Sequence, residues 1–580
     1  MNRRHQKISV TVWIFFAMLL ATSAQAQLSK VDSLLEQYGY QIQASTDPNG
    51  VFYYNGHTVA GQEVNGFTQA NYTTLQWQSS PLFTDSSGVS ITTPWSMWVI
   101  GSTPLPDTVA ASQSHLSNLV ALQLGDEDYW ESNASVRAND ISEFQSVGAN
   151  ANYNNTILYT NNFLGQLQDD TASVSDFIQQ AHPDMLTFDY YPFTTANAST
   201  PDSSNILNTG YTSWYTELRF YRDVTLDNSY QSSNPNYSVE FGTYIQTYDT
   251  TGDGTRVPSA SELAVQTATA MAFNSKMAMD FTYNDGASAL FTDTNQSATT
   301  SFYNAVQLIN THTQNLGRAM VRLTPLVANP NVDWTAGTPD ILFLRGQQVT
   351  GNPSSPTTPN VLPDGFAANP VNGSLESTWT AGANDPWMTG FGQANIGKTV
   401  NAYVNSSGQT QYATGDALIS WFRPIGESQS VATTKGDIYF LIVNALAAPT
   451  ATQAQCLQDI HLDFSTWPLA SGQSLPSIQY IDPATGLVVT LPEDQTGLKI
   501  TNSTIEPEGT VLLTNTNGDP TNRTGKLRLN VFLGGGDAFL FKFDTGTPFE
   551  VPEPTSATII MGIGALVFSR RPRRRAFRKV

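Results

Sequence analysis

Leu122-Gln123-Leu124-Gly125-Asp126-Glu127-Asp128-Tyr129-Trp130 is an apolar run that stops abruptly in acids and aromatics. Three further segments end the same way: 184–193 (Asp-Met-Leu-Thr-Phe-Asp-Tyr-Tyr-Pro-Phe, with Asp189 beside two tyrosines), 244–249 (Tyr-Ile-Gln-Thr-Tyr-Asp) and 279–283 (Met-Asp-Phe-Thr-Tyr). Asn161 and Asn162 close a fifth run, Thr-Ile-Leu-Tyr-Thr at 156–160. Strands that all deliver polar or aromatic groups at the same end are parallel strands, and in a parallel barrel that end is the mouth where active sites sit.

The intervening pattern agrees. Between about 29 and 326, helical periodicities (31–38, 141–147, 173–181, 214–222, 259–273, 301–323) alternate with strand candidates at 41–44, 96–100, 119–124, 156–160, 185–191, 242–248 and 277–283. Ser259 with Glu262 three residues on forms a capping box for one helix. Alternation at this pitch implies parallel strands with crossover helices, and seven strands suit a (β/α)8-type barrel better than an open sheet. The eighth strand is not evident; 49–67 is irregular, which predicts an eroded front to the barrel. Beyond Pro330 short apolar runs at 341–344, 438–443, 487–491, 510–513, 527–532 and 538–543 are separated by Gly, Pro, Asn and Asp. This punctuation predicts an antiparallel β-sandwich. The expected organisation is a leader at 1–26, a barrel at 27–334, a sandwich at 335–545 and a linker with a sorting segment at 546–580.

Both ends carry addresses. Arg3, Arg4 and Lys7 precede an apolar stretch at 10–21, and Ala24-Gln25-Ala26 offers the small residues a signal peptidase reads, so cleavage is expected after Ala26. At the other end Pro552-Glu553-Pro554 leads into an apolar run at 557–568 and then the basic tail 570–579. Twelve apolar residues fall short of the roughly 20 a spanning helix needs. The order resembles the PEP-CTERM sorting signal of Gram-negative bacteria. That resemblance implies recognition by an exosortase-type machinery, transient inner-membrane contact through the C-terminal helix, and a destination at the cell surface or in extracellular matrix.

Of the 27 Lys+Arg, three lie in the leader and seven in the tail, while Glu553 is the one acid from Val551 onward among 48. The exported body therefore carries a formal charge of about −30, which argues against a nucleic-acid partner. The lone Cys456 permits no internal disulfide and reads as a small buried apolar residue. Six scattered histidines show no metal-ligand spacing, so no metal and no cofactor is expected. The segment 249–254 (Asp-Thr-Thr-Gly-Asp-Gly) opens like a calcium loop, but Ala260 occupies the twelfth position, and the segment reads as a turn.

Gly-Asp-Glu after one strand, Phe-Asp-Tyr-Tyr-Pro-Phe after the next but one, Tyr-Ile-Gln-Thr-Tyr, and Arg-Val-Pro-Ser-Ala-Ser-Glu-Leu opening a helix together resemble (β/α)-barrel glycoside hydrolases of the clan A and β-galactosidase-like type. The likeness spans roughly 90–545. It implies that Glu127 protonates a glycosidic oxygen, with Asp126 as the alternative, in an extracellular polysaccharide. The family's nucleophile position holds Gln246, which can form no glycosyl ester; Asp189, on the same rim, is the expected second carboxylate. Trp98, Trp130, Asn161, Tyr190, Tyr191, Gln246 and Tyr248 are the expected sugar-contacting residues, although barrel packing accounts equally for the aromatics. Trp214, Arg219 and Arg222 read as structural. The alternative is a non-catalytic carbohydrate-binding or matrix protein on a degenerate barrel, and Gln246 favours it.

Overall fold

The computed structural model describes residues 28–128, 130, 133–163, 171–199, 214–226, 237–250, 252, 254–326, 341–344, 346–347, 376–378, 388–428, 437–464, 477–491, 508–509, 511–515 and 527–549. The leader, the Pro-Glu-Pro segment and the apolar run at 557–568 lie outside them. Among the described residues no helix is long and apolar enough to cross a membrane.

Helix α1 (Lys30–Tyr38) is capped by Ser29, whose hydroxyl accepts from the Asp32 amide, and buries Val31, Leu34 and Leu35. Eight parallel strands then close a barrel: β1 (Gln41–Thr46), β2 (Thr74–Trp77), β3 (Trp95–Val99), β4 (Leu119–Asp126), β5 (Ile157–Phe163), β6 (Met185–Asp189), β7 (Glu240–Gln246) and β8 (Met277–Phe281). Strand β1 pairs with both β2 and β8, which completes the ring. The strand hidden in the sequence is β2. It is only four residues long, all buried, and its Gln76 breaks the apolar run because it faces the lumen.

The expected erosion of the front strand is not found: the ring is complete, β1 included, and what the front lacks is helices. No α-helix connects β1 to β2 or β2 to β3. An aromatic cluster fills the place of the missing helices, with Phe52 5.7 Å from Phe67 and 5.4 Å from Trp77, and Phe67 5.4 Å from Tyr72. From β4 onward the alternation is regular: α2 (Ala134–Gly148), α3 (Thr171–Ala181), α4 (Trp214–Thr225), α5 (Ala260–Ala272) and α6 (Ser301–Met320). Helix α6 reaches back to the irregular front, where Tyr303 Oη donates to the Gly66 carbonyl and Asn310 to that of Ala70. The capping box of α5 forms as expected, and Glu262 also receives two hydrogen bonds from Arg256 at 2.6 and 2.7 Å.

The lumen is polar. Ser96 donates to Gln43; Gln76 donates to Gln123 and Tyr159; and Tyr244 Oη donates to Gln123 Oε1 at 2.7 Å. All six residues are buried. Polar groups removed from water hold only when paired, so these bonds tie together strands on opposite sides of the ring.

The C-terminal region is a sandwich of two antiparallel sheets. One contains β9 (Leu323–Pro325), β10 (Ile341–Leu344), β13 (Ala417–Pro424), β14 (Tyr439–Asn444), β16 (Ser477–Ile481), β17 (Val488–Thr490) and β20 (Ala538–Asp544). The other contains β11 (Glu376–Thr378), β12 (Met388–Asn395), β15 (Gln458–Phe464), β18 (Val511–Asn515) and β19 (Leu527–Leu533). Strand β9 follows α6 directly and pairs with β13, so the chain enters the second sheet system as soon as the last barrel helix ends. In β14 the side chains divide by parity. Tyr439, Leu441 and Val443 join the barrel's core, while Phe440 and Ile442 join the sandwich core. A sheet covered on both faces needs apolar residues at every position, which explains the unbroken Tyr-Phe-Leu-Ile-Val run. Cys456 is buried beside Leu446, Ala448 and Ala451. Behind β20 the chain is pinned: Lys542 Nζ pairs with Asp437 at 2.7 Å and donates to the Thr547 and Pro548 carbonyls, and Phe549 packs 5.2 Å from Tyr439.

Two predictions concern stability. Gly317 sits in α6 where an added Cβ would lie 2.4 Å from Tyr40 Cβ. Gly317→Ala should therefore destabilise by about 1–3 kcal/mol in denaturant unfolding, although the same change in an open helix stabilises by roughly 1 kcal/mol. The second concerns Asp280, which is buried on β8 and accepts from Tyr72 Oη at 2.7 Å; burial raises its pKa to about 7. Its unfolded value is about 3.9, so its contribution is complete below about pH 4 and is lost as pH rises through about 7. Relative to Asp280→Asn, the wild type should lose up to about 4 kcal/mol between pH 4 and 8. Parallel pH profiles for the two proteins would count against a buried neutral acid.

Candidate active site at the barrel mouth

Strand β4 ends irregularly, and that irregularity aims its acids. Its pairing with β5 shifts register between Gln123 and Asp126, and Gly125 and Glu127 both take positive φ (+85° and +53°). At a φ of +85° Gly125 adopts a conformation that L side chains rarely take, and a Cβ there would also push the Asp128 carboxylate, 2.7 Å away, out of place. The Asp128 carboxylate accepts from the Asp126 amide, and the Glu127 amide donates to the Asn161 carbonyl.

Three carboxyls meet here. Asp126 is half-buried, and its Oδ1 accepts from Gln123 Nε2 and from Asn161 Nδ2, each at 2.9 Å. Burial raises its pKa to about 6; the two amide donors pull it down, and the Glu127 and Asp128 charges push it up. Asp189 closes β6 and is buried, near enough to Glu127 and Asp126 for both charges to act on it. Burial first, then the charges of Glu127 and Asp126, hold its pKa well above the carboxylate range. Glu127 is the solvent-exposed member. The group therefore keeps the carboxyl whose pKa is raised by burial in its interior and its exposed carboxyl at the rim.

An aromatic wall stands beside the acids. Trp98 lies parallel to Phe281 at 6.4 Å, and Tyr191 packs edge-on against Tyr248 at 5.0 Å and tilted against Phe281 at 6.1 Å. Trp98, Tyr191 and Phe281 keep part of their surface open, whereas Tyr248 is buried. Trp98 Nε1 donates to Tyr244 Oη, which links the wall to the lumen.

Other residues singled out by the sequence lie elsewhere. Trp130 is fully buried, stacked 4.0 Å from Phe177 of α3 with its Nε1 on Asp140 of α2, so it packs the helical layer and offers no face to a ligand. Tyr190 turns toward Glu217 of α4, whose charge adds to burial in raising the tyrosine's pKa. Gln246 is buried and spent on the backbone: its Oε1 accepts from the Phe193 amide, and its Nε2 donates to the Phe193 and Arg256 carbonyls. Asp280 faces outward from the barrel toward Tyr72, and Asp249 is exposed on its loop. Gln123, Tyr244 and Phe281 are the site residues the sequence reading passed over. Their signal was parity, since a mid-strand Gln or Tyr in an otherwise apolar strand must face a polar lumen. Among the described residues no group of His, Cys, Asp and Glu is arranged to hold a metal ion.

Residues 550–575 match the family model of the PEP-CTERM protein-sorting motif. Comparison with curated proteins gives no match. Among solved structures, a Cellulomonas fimi endo-beta-1,4-mannanase double mutant overlaps 49% of this chain and 75% of its own at 10% identity and a TM-score of 0.28. A glucosidase from Croceicoccus marinus overlaps 86% of this chain and 98% of its own, also at 10% identity and a TM-score of 0.28. Scores this low bear on no residue's role, and the barrel stands on its own strand pairing.

The bonding of Gln246 generates a prediction. Gln246→Glu would turn two donated hydrogen bonds into carboxylate oxygens facing carbonyls. It should cost about 1–3 kcal/mol at pH 7 by thermal or chemical unfolding, and less in acid where the new carboxyl is protonated.

Proposed function

We propose that this is an exported, surface-sorted protein that hydrolyses an extracellular polysaccharide at the barrel mouth through the Asp126, Glu127 and Asp189 carboxyls. The observation that supports it is the meeting of these three groups, two of them with pKa values raised by burial, beside the open faces of Trp98, Tyr191 and Phe281. Glycoside hydrolysis needs one protonated carboxyl to accompany the leaving oxygen and one ionised carboxyl on the other side of the bond. Unequal burial separates those roles. Aromatic faces suit pyranose rings, whose C–H edges stack on them. The sorting motif at 550–575 supports export to the cell surface, where, with the leader expected at 1–26, extracellular polysaccharide is the polymer such a site would meet.

One observation favours a second reading, a barrel that binds sugar without cutting it. Gln246, where the resemblance expects a nucleophile, is an amide spent on the Phe193 and Arg256 backbone and can form no glycosyl ester.

A panel of soluble polysaccharides, scored for new reducing ends and for binding, separates the readings. Hydrolysis is expected in the wild type, with losses of about 10²–10⁴-fold in Glu127→Gln and Asp189→Asn. Activity that survives both substitutions, or wild-type binding without new reducing ends, would sink the hydrolytic reading.

A further inference from the structure

We propose that Asp126 is the proton donor of this site and that Gln123, oriented by Tyr244, is the positioning residue that keeps the proton on the carboxyl oxygen facing the mouth. The inference rests on the hydrolytic reading for its purpose, but its geometry stands independently. Both amide donors that reach Asp126, Gln123 Nε2 and Asn161 Nδ2, address the same atom, Oδ1. Among the described residues Oδ2 has no hydrogen-bond partner, and it is not sealed from solvent. An oxygen that already accepts two N–H bonds is a poor place for a proton, so a protonated Asp126 carries its hydrogen on Oδ2, toward the cleft.

The direction of the Gln123 amide is set from behind. Its Oε1 accepts from Tyr244 Oη at 2.7 Å and from Gln76 Nε2 at 3.1 Å. Rotating the amide by half a turn would set its NH₂ against Gln76 Nε2 and leave its oxygen on Asp126 Oδ1, so both ends of the amide forbid the flip. Asn161 is fixed likewise, since its Oδ1 accepts from Thr187 Oγ1 at 3.2 Å. Trp98 Nε1 donates to the same Tyr244 hydroxyl at 3.1 Å. A ring that moves Trp98 therefore perturbs, through Tyr244 and Gln123, the acid that would act on it.

The titratable groups facing Asp126 are Glu127 and Asp128 on its own strand end, Asp189 at the end of β6, Tyr191 beyond it, Tyr159 on β5 and Tyr244 on β7. Burial raises the pKa of all three tyrosines, which stay neutral near pH 7. Negative charge on Glu127 and Asp128 favours the protonated Asp126, and the Asn161 and Gln123 amides favour its anion. In the proposed step the O–H bond of Asp126 breaks as the glycosidic oxygen takes the proton and its bond to the anomeric carbon breaks. Asp126 is left as the carboxylate its two amide donors stabilise, and water later supplies both the hydroxyl at the anomeric carbon and the proton that restores the acid.

Two measurements test this on the full-length protein. Protein labelled with ¹³C at the aspartate carboxyls should show a titration near pH 6 that disappears in Asp126→Asn. Gln123→Leu removes one donor to the anion, so it should move that titration up by about one pH unit. Tyr244→Phe should move it in the same direction and by less, with the fold less disturbed. A titration near pH 6, distinct from those of Asp140 and Asp280 near pH 7, that persists in Asp126→Asn, or that neither second variant shifts, overturns the assignment whether or not any polysaccharide is cut. On a polysaccharide that is hydrolysed, the alkaline limb of kcat/KM should rise in pH with Gln123→Leu, and Asp126→Asn should abolish that limb. Unchanged turnover in Asp126→Asn beside an inactive Glu127→Gln overturns the donor role alone. Absence of turnover in the wild type overturns it together with the hydrolytic reading, and leaves the orientation of the proton to be judged from the carboxyl titrations.

Discussion

The hydrogen bond from Tyr244 Oη to Gln123 Oε1 crosses the barrel from β7 to β4, and most of the molecule's chemistry hangs from it. A barrel lumen filled with branched aliphatic side chains is held by packing and tolerates small shifts in register. This lumen is filled with Gln43, Gln76, Ser96, Gln123, Tyr159 and Tyr244, whose pairing is directional. Most of the buried amide groups are paired, with Gln43 Nε2 and Gln76 Oε1 left without a partner, and the directional bonds that do form favour one register of the strands. The same bonds that fix the strands also fix the orientation of the groups behind Asp126 and beneath Trp98. Core and site are thus one network.

The second organising constraint is the sheet containing β14. Its residues divide by parity between the barrel's core and the sandwich core, so it belongs to both. Such a sheet cannot be removed from the barrel without exposing Tyr439, Leu441 and Val443. The close approach of Gly536 to Ala264 and Val265 of α5 shows how tightly the two parts fit, since a Cβ there would lie 2.2 Å from the Val265 amide nitrogen.

Much of the architecture was legible because strand ends and helix caps carry local chemistry. Ser259 with Glu262, and the apolar runs broken by Asp126 and Asp189, could be read directly. Strand β2 could not, because Gln76 in the middle of four residues looks like a loop residue unless the lumen is known to be polar. Trp130 misled for a related reason. Its neighbours in sequence are acids of the mouth, but the chain turns after Asp128 and delivers the indole to Phe177 and Asp140. Gln246 showed its chemistry in the sequence, an amide where a carboxylate would be needed, but not its task. That task is to hold the loop at Phe193 to the loop at Arg256, and the partners are backbone atoms that no side-chain pattern announces. Gln123 was concealed by its own setting, an apolar strand in which one amide passes as an accident.

The pinned segment after β20 also governs how the body can be handled at its end. Lys542 grips the Thr547 and Pro548 carbonyls and Phe549 lies against Tyr439, so folded structure extends to within three residues of Pro552. Three residues of chain span at most about 11 Å. An enzyme that reads Pro552-Glu553-Pro554 must therefore work against the flank of a folded domain rather than on a dangling strand. A group joined to the chain at Pro552 would sit within about 11 Å of the sandwich, so its reach would be set by the folded body and not by the linker.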